Sequence, residues 1–325
     1  MISISFRQSP GALALALLSA CTSGPAASVG PAPAAAGAAT CRAAEVGLQV
    51  LGSGGPIAEG SRAGTSYALW VDGQARLLVD AGPGSFVRFG EAGLKVGDLA
   101  AIAMSHFHGD HSAGLVGILN SGSFERSRAP LILVGPAGDP PFPGTQTFAE
   151  ALFDGKNGAW GYLGGYLDGS DGRRPLDIRE IDASDRTQSP TQRIELEPKL
   201  TLTAIPVHHG VVPTLAYVIE AKGRTVVLAA DQSDMSSGFD KATTGLSPDL
   251  LVAHHVIPEG PGQPIGLHRP PHAIGRMAAN MNASRLVLSH NMERSLARLD
   301  EAKGEIAKLF PGPVDVADDG VCYVF

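Results

Sequence analysis

Within six residues, His106-Phe107-His108-Gly109-Asp110-His111, the chain sets three imidazoles and a carboxylate directly after an apolar run at 99–104. A short apolar run of this kind reads as a buried strand. Side chains two apart on extended backbone project to one side, so His106 and His108 can share one cation. The chain then turns toward a helix at 114–119, which lets Asp110 and His111 face a neighbouring position. Imidazole nitrogen and carboxylate oxygen are the ligands zinc takes in hydrolytic sites. All ten histidines lie between His106 and His290, so any further imidazoles come from later in the chain.

Around this segment, short apolar strands alternate with helices. A strand at 46–51 ends in Gly52-Ser53-Gly54-Gly55, and strands at 66–71 and 76–79 flank Asp72-Gly73, a hairpin signal. Further strands are expected at 131–134, 200–207, 215–220, 225–229, 250–253 and 286–289, and helices at 273–281 and 292–309. Hairpins interleaved with strand–helix units argue against a simple doubly wound parallel sheet. The stretch 139–189 breaks the pattern with Pro and Gly clusters and reads as a functional loop or insertion. Its Trp160, Tyr162 and Tyr166 either wall a pocket or cover an edge of the core.

The N-terminus reads as targeting rather than fold. Residues 1–20 carry one charge, Arg7, and an apolar run at 11–20. That run is too short for a bilayer of roughly 30 Å but long enough for a secretory signal. It ends Leu18-Ser19-Ala20-Cys21, which resembles a bacterial lipobox and implies that Cys21 becomes an acylated first residue. The expectation is a lipoprotein-type signal peptide at 1–20, an Ala/Gly/Pro-rich tether at 21–41 and a folded domain at 42–325. The expected location is the periplasmic side of a bacterial cell envelope, with the membrane reached through lipid on Cys21, or secretion where the lipobox is not used. Cys41 and Cys322 sit near the two ends of the domain. In an oxidising compartment they read as a disulfide, or else as two buried thiols, because sequence supplies no Cα separation.

The segment His106-x-His108-x-Asp110-His111 resembles the signature of metallo-β-lactamase-fold hydrolases, and more of the chain follows. Leu77-Leu78-Val79-Asp80-Ala81-Gly82 resembles that family's strand-ending aspartate motif, Val207-His208-His209-Gly210 its third metal-ligand motif, Leu228-Ala229-Ala230-Asp231 its bridging aspartate and Leu286-Val287-Leu288-Ser289-His290 its closing histidine. The resemblance covers roughly 46–325. It implies an α/β fold of the αββα type, with two packed mixed β-sheets and flanking helices. It also implies two zinc ions per chain, with Mn2+ or Fe2+ as substitutes. His106, His108 and His209 would hold the first ion and Asp110, His111 and His290 the second, with Asp231 bridging and Asp80 orienting the metal loop from behind. A shift of frame would make His208 the ligand in place of His209. Two such ions roughly 3.5–4 Å apart lower the pKa of a shared water toward about 7. Asp110 would then also accept a proton from that water.

Two further segments resemble the branch containing ribonuclease Z and related phosphodiesterases and arylsulfatases. Residues 249–255 end in His254-His255 where that branch has a His-Glu pair. His268-Arg269-Pro270 stands where it has His-Ser-Thr. His268 would serve as general acid toward the leaving oxygen. His255 and Arg269-Pro270 depart from the pattern, and His254, His255 and His272 read as polar loop residues near the site. Without residues 1–20 the chain has 24 Lys and Arg against 32 acids, or −8, and no basic arm. That balance reads against nucleic acid as a partner, and so against ribonuclease Z activity itself. The expected function is a dinuclear zinc hydrolase cleaving a phosphodiester or sulfate ester of a small molecule by attack of metal-bridging hydroxide. A lactonase or other acyl-ester or cyclic-amide hydrolase is the alternative among enzymes, and a non-catalytic metal-stabilised binding lipoprotein the alternative outside them.

Overall fold

The structure, a computed structural model, describes residues 33–125, 127, 129–184 and 190–325. The expected signal peptide, Cys21 and the first part of the expected tether lie outside the described residues. Fourteen strands among the described residues form two seven-stranded sheets. The first takes β1 (Val46–Gly52), β2 (Ser66–Val71), β3 (Gln74–Val79), β4 (Ala101–Ala103), β5 (Leu131–Pro136) and β6 (Leu176–Ile181), with β14 (Cys322–Val324) added beside β1. The second takes β7 (Gln192–Glu197), β8 (Leu200–His209), β9 (Val212–Ala221), β10 (Arg224–Leu228), β11 (Leu250–His254), β12 (Leu286–Ser289) and β13 (Val314–Val316). Each sheet begins as an antiparallel meander and turns parallel, at β3–β4 in the first and at β10–β11 in the second. This mixture is what the hairpin and crossover signals required.

Side-chain alternation along the strands produces the layers. On β1, Val46, Leu48 and Val50 face the second sheet and meet Leu202, Leu215, Tyr217 and Leu228 in the central core. Its other face turns Leu51 outward, with Trp70 of β2 and Leu78 of β3, toward α1 (Pro33–Ala43), α2 (Ser85–Glu91), α4 (Leu115–Gly122) and α5 (Thr145–Phe153). The short α3 (Gly109–Ser112) leads into α4, and α6 (Gly165–Asp168) follows α5. On the far side, α7 (Ser237–Thr243), α8 (Pro271–Met281) and α10 (Leu299–Ala307) cover the second sheet. The α9 turn (Glu293–Leu296) is separate from α10, so the helix expected over 292–309 is two pieces. In α9, Ser295 Oγ donates to the carbonyl of His255, which ties the turn to the end of β11.

Two expectations are corrected. The segment read as tether to residue 41 folds over its last part, because α1 buries Ala34 and Ala38 against the first sheet. Small residues make this close packing feasible: a Cβ on Gly37 would stand 1.6 Å from the Gly320 carbonyl oxygen. Cys41 on α1 is bonded to Cys322 on β14, with Cα atoms 5.8 Å apart. Among the described residues of the stretch 139–189 lie α5, α6 and β6, so it is not one irregular loop. Tyr166 is buried in the outer core and donates to the Leu119 carbonyl at 2.5 Å, so it covers the core rather than a pocket. Tyr162 is exposed and donates to Asn120.

Candidate metal centre

The parallel strands deliver the chemistry at their C-terminal ends, where ligands bind in α/β sheets. Asp80 follows β3, His106 follows β4, Asp231 follows β10, His254 ends β11 and His290 follows β12, while His209 ends β8 before its hairpin with β9. Asp80, Ala230 and His290 hold left-handed backbone with φ of 57°, 56° and 55°. Such positions cost a non-glycine residue about 1–3 kcal/mol and persist only where surroundings fix them. Here each one swings the chain out of a strand and into the site. Gly55 lies under His290, where a Cβ would come within 2.6 Å of the ring, which explains part of the Gly-rich segment after β1.

Two groups of donors form. His106, His108 and His209 bring ring nitrogens within 4.8 Å of one another, with His106 Nε2 and His108 Nδ1 3.0 Å apart. His290 Nε2 lies 3.1 Å from Asp110 Oδ2 and 3.2 Å from His111 Nε2. Asp231 stands between the groups, its Oδ2 3.6 Å from His209 Nε2 and 3.7 Å from His111 Nε2. His106, His108, Asp110 and His111 belong to the first sheet and its connections, while His209, Asp231 and His290 come from the second.

The surrounding groups set which ring nitrogen faces inward. Asp80, itself buried, accepts from the Ser105 backbone N–H at 2.7 Å, the Ser105 hydroxyl at 2.7 Å and His111 Nδ1 at 2.8 Å. His111 therefore presents Nε2 to the site. His209 donates from Nδ1 to the Leu267 carbonyl at 3.0 Å and likewise presents Nε2. Such outer partners fix ring orientation in metal sites. His208 faces elsewhere, with Nδ1 2.8 Å from Ser233 Oγ, and His209 is the one of the two in the donor group.

Burial pushes His106 well below the ordinary imidazole range, and burial together with His209 lowers His108. Both rings are thus neutral, the form that binds a cation. For His111 burial acts downward, but the carboxylates of Asp80 and Asp231 outweigh it and raise the ring well above its usual value. Burial acts upward on both carboxyls. The imidazoles still hold Asp231 well below its usual range, chiefly His290 and His268, while His290 and His111 bring Asp110 to about 2. Imidazole nitrogens and ionised carboxylates crowded at about 3–4 Å, with His290 Nδ1 making no hydrogen bond, are a donor set that fits divalent cations.

The comparisons with known proteins agree with this chemistry. A family model described as "Anti-Pycsar protein Apyc1" matches residues 46–138. Among solved structures, the metallo-β-lactamase-fold protein YhfI of Bacillus subtilis superposes with a TM-score of 0.64 at 20% identity, covering 86% of this chain and 99% of that one. The short form of human tRNase Z superposes at 0.62 with 20% identity, over 85% and 98% of the two chains. A ribonuclease Z of Mycobacterium bovis is 31% identical over 213 residues, which are 65% of this chain and 70% of that protein. The chain belongs to the ribonuclease Z family. It is a metal-dependent hydrolase of the phosphodiesterase type, with the expected fold.

Membership in the ribonuclease Z family corrects the reading that excluded nucleic acid and assigned a small-molecule ester. The relatives carry the name of a ribonuclease. The exclusion failed for a physical reason. Net charge sums over the whole surface, whereas a phosphate at the reaction centre meets the local charge, which bound dications reset.

In this ribonuclease Z-family chain the departures from the branch pattern have structural roles. His268 lies at the rim of the donor groups with Nδ1 4.0 Å from Asp231 Oδ1. Burial, only partly offset by Asp231, brings its ring down to about 4, so at neutral pH it is an uncharged imidazole. Arg269 is 2% exposed and ties three acceptors, Gln232 Oε1 at 2.9 Å, Asp240 at 2.8 Å and Asp234 at 3.2 Å. Gln232 in turn donates to the Ala229 carbonyl at 2.6 Å, so the turn that carries Asp231 is locked to the segment that carries His268.

The loop reading of His254 and His255 does not hold, because β11 ends inside the sandwich and buries both. His272 lies instead in the first turn of α8, bonded to Glu259. Sequence reasoning also missed Ser105, Tyr67 and the Leu267 carbonyl. Ser105 was legible as the polar residue between an apolar strand and the first ligand. A backbone carbonyl leaves no sequence signal.

Proposed function

We propose that this chain is a dinuclear zinc phosphodiesterase that cleaves a phosphodiester of a ribonucleotide or RNA. His106, His108 and His209 would hold one ion, and Asp110, His111 and His290 the other, with Asp231 shared. The observation that carries the reading is Asp231 Oδ2, nearly equidistant from a nitrogen of each donor group. When bound, two zinc ions supply a nucleophile from water near neutral pH and offset charge on phosphoryl oxygens. The protein's own groups do the rest. Asp110, held ionised, is placed to accept a proton from the attacking water. His268, neutral at the rim, offers an N–H to a phosphoryl or leaving oxygen. Asp80 keeps His111 in the tautomer that faces the site. Ribonucleotide substrates are favoured by the names of the relatives, ribonuclease Z and tRNase Z.

Zinc analysis, then assay on an RNA oligonucleotide, bis-nitrophenyl phosphate and nitrophenyl sulfate, tests the reading. Two zinc ions and cleavage of the phosphodiesters are expected. A two-zinc protein that cleaves only the sulfate, or neither phosphodiester, defeats it. His268→Ala is expected to slow substrates with poor leaving groups selectively, and equal slowing of activated nitrophenyl esters counts against the N–H donation. Export and acylation at Cys21 complete the proposal, supported by the lipobox-like Leu18-Ser19-Ala20-Cys21. Fatty-acid labelling that persists in Cys21→Ser excludes that anchor.

A further inference from the structure

His254 is assigned no part in the ligand set, yet it is buried and makes the shortest contact to Asp231. Its Nδ1 lies 2.6 Å from Asp231 Oδ1. A carboxylate only accepts, so Nδ1 carries the proton and donates it. On the other side of the ring, Nε2 is 3.2 Å from the Tyr67 hydroxyl, which is itself 2.8 Å from Ser289 Oγ. Tyr67 is on β2 of the first sheet, and Ser289 on β12 of the second, next to His290. A polar chain therefore crosses the sandwich and ends on one oxygen of the shared aspartate.

The ring could itself be a ligand, since it lies among His111, Asp231 and His290 within 4.8 Å. Its hydrogen bonds argue otherwise. Both nitrogens are engaged by protein groups, one by Asp231 and one by Tyr67, whereas His290 aims Nε2 at Asp110 and His111 and leaves Nδ1 without a partner. The two oxygens of Asp231 also differ. Oδ2 lies between His209 and His111, one from each donor group, while Oδ1 is held by His254 at 2.6 Å and also has His290 Nε2, of the second group, at 3.4 Å.

We infer that His254 is a positioning residue: its Nδ1–H holds Asp231 Oδ1 and so fixes the carboxylate with Oδ2 between the two donor groups, and Tyr67 and Ser289 hold the ring in place. This inference rests on the dinuclear reading above. It predicts that the donor at the Nδ1 position matters and the rest of the ring does not. In His254→Asn the amide nitrogen falls near that position, whereas His254→Leu keeps bulk and loses the donor. Tyr67→Phe loosens the ring from behind.

The test is cobalt titration of the metal-free full chain, followed through the visible absorption bands and the ion count. Wild type is expected to take two ions. His254→Leu should bind the second about 10–100-fold more weakly with altered bands, His254→Asn should recover to within several-fold, and Tyr67→Phe should fall between. His254→Leu with wild-type affinity and spectrum overturns the inference. His254→Asn as poor as His254→Leu also overturns it, because the ring would then be a ligand. Should His254→Leu not fold, His254→Asn and Tyr67→Phe carry the test alone, with wild-type recovery in the first and weaker binding in the second expected. A wild-type protein that takes fewer than two ions defeats the dinuclear reading instead.

Discussion

His255 is fully buried, and neither of its ring nitrogens reaches a hydrogen bond of ordinary geometry, although Asn291 lies beside it. Burial brings the ring from 6.5 down to about 4. The unfolded chain therefore takes up a proton near pH 6.5 that the folded chain refuses until about pH 4. The unfolded state binds more protons between those values, so stability falls as pH drops through that window. A difference of about 2.5 units corresponds to about 3.4 kcal/mol in all, of which about 2 kcal/mol is lost between pH 7 and pH 5. The assay is urea unfolding of metal-free protein at pH 7 and pH 5, for wild type and His255→Asn. Other buried histidines also titrate, so the informative quantity is the difference between the two proteins. The variant is expected to lose about 2 kcal/mol less on acidification. Identical pH dependence of the two proteins would falsify the argument, since it would mean the ring is not held neutral by burial.

Three further outcomes are expected. Arg269→Met leaves the buried Gln232 Oε1 and the part-buried Asp240 without their partner, while Asp234 keeps Arg276, and should cost roughly 1–3 kcal/mol in urea unfolding while Arg269→Lys restores part. A cost below about 1 kcal/mol would place Arg269 outside the clamp. His209→Ala should lower bound zinc measurably, whereas His208→Ala should leave it near the wild-type value, as read by elemental analysis. Cys41→Ser opens a bridge across 281 residues and should lower stability by about 2–5 kcal/mol, checked by thermal unfolding with and without reductant.

Most of the fold and the donor set could be read from the sequence, and the reasons are local. His106 to His111 carry their geometry in their spacing. The alternation in 46–51 and the Asp72-Gly73 turn mark β1, β2 and β3 of the first sheet without reference to distant contacts. The failures came where tertiary packing decides. Residues 33–41 look like a tether by composition, but Ala34 and Ala38 are buried because a sheet face lies against them. The strand Leu176–Ile181 sits in a Pro/Gly-rich stretch and is made by pairing with β5. His254 could not be separated from a loop histidine, because its role depends on Asp231, Tyr67 and Ser289 arriving from three other strands. The exclusion of nucleic acid failed because a whole-chain charge was used to judge a local site.

The division of donors between the sheets has a consequence for biogenesis. His106, His108, Asp110 and His111 emerge from synthesis long before His209, Asp231 and His290, and neither donor group closes until both sheets are docked. Early parts of the nascent chain can therefore offer metal only a partial grip. Tight capture becomes a late event, gated by closure of the sandwich rather than by the arrival of any single histidine, and its onset times the completion of the fold.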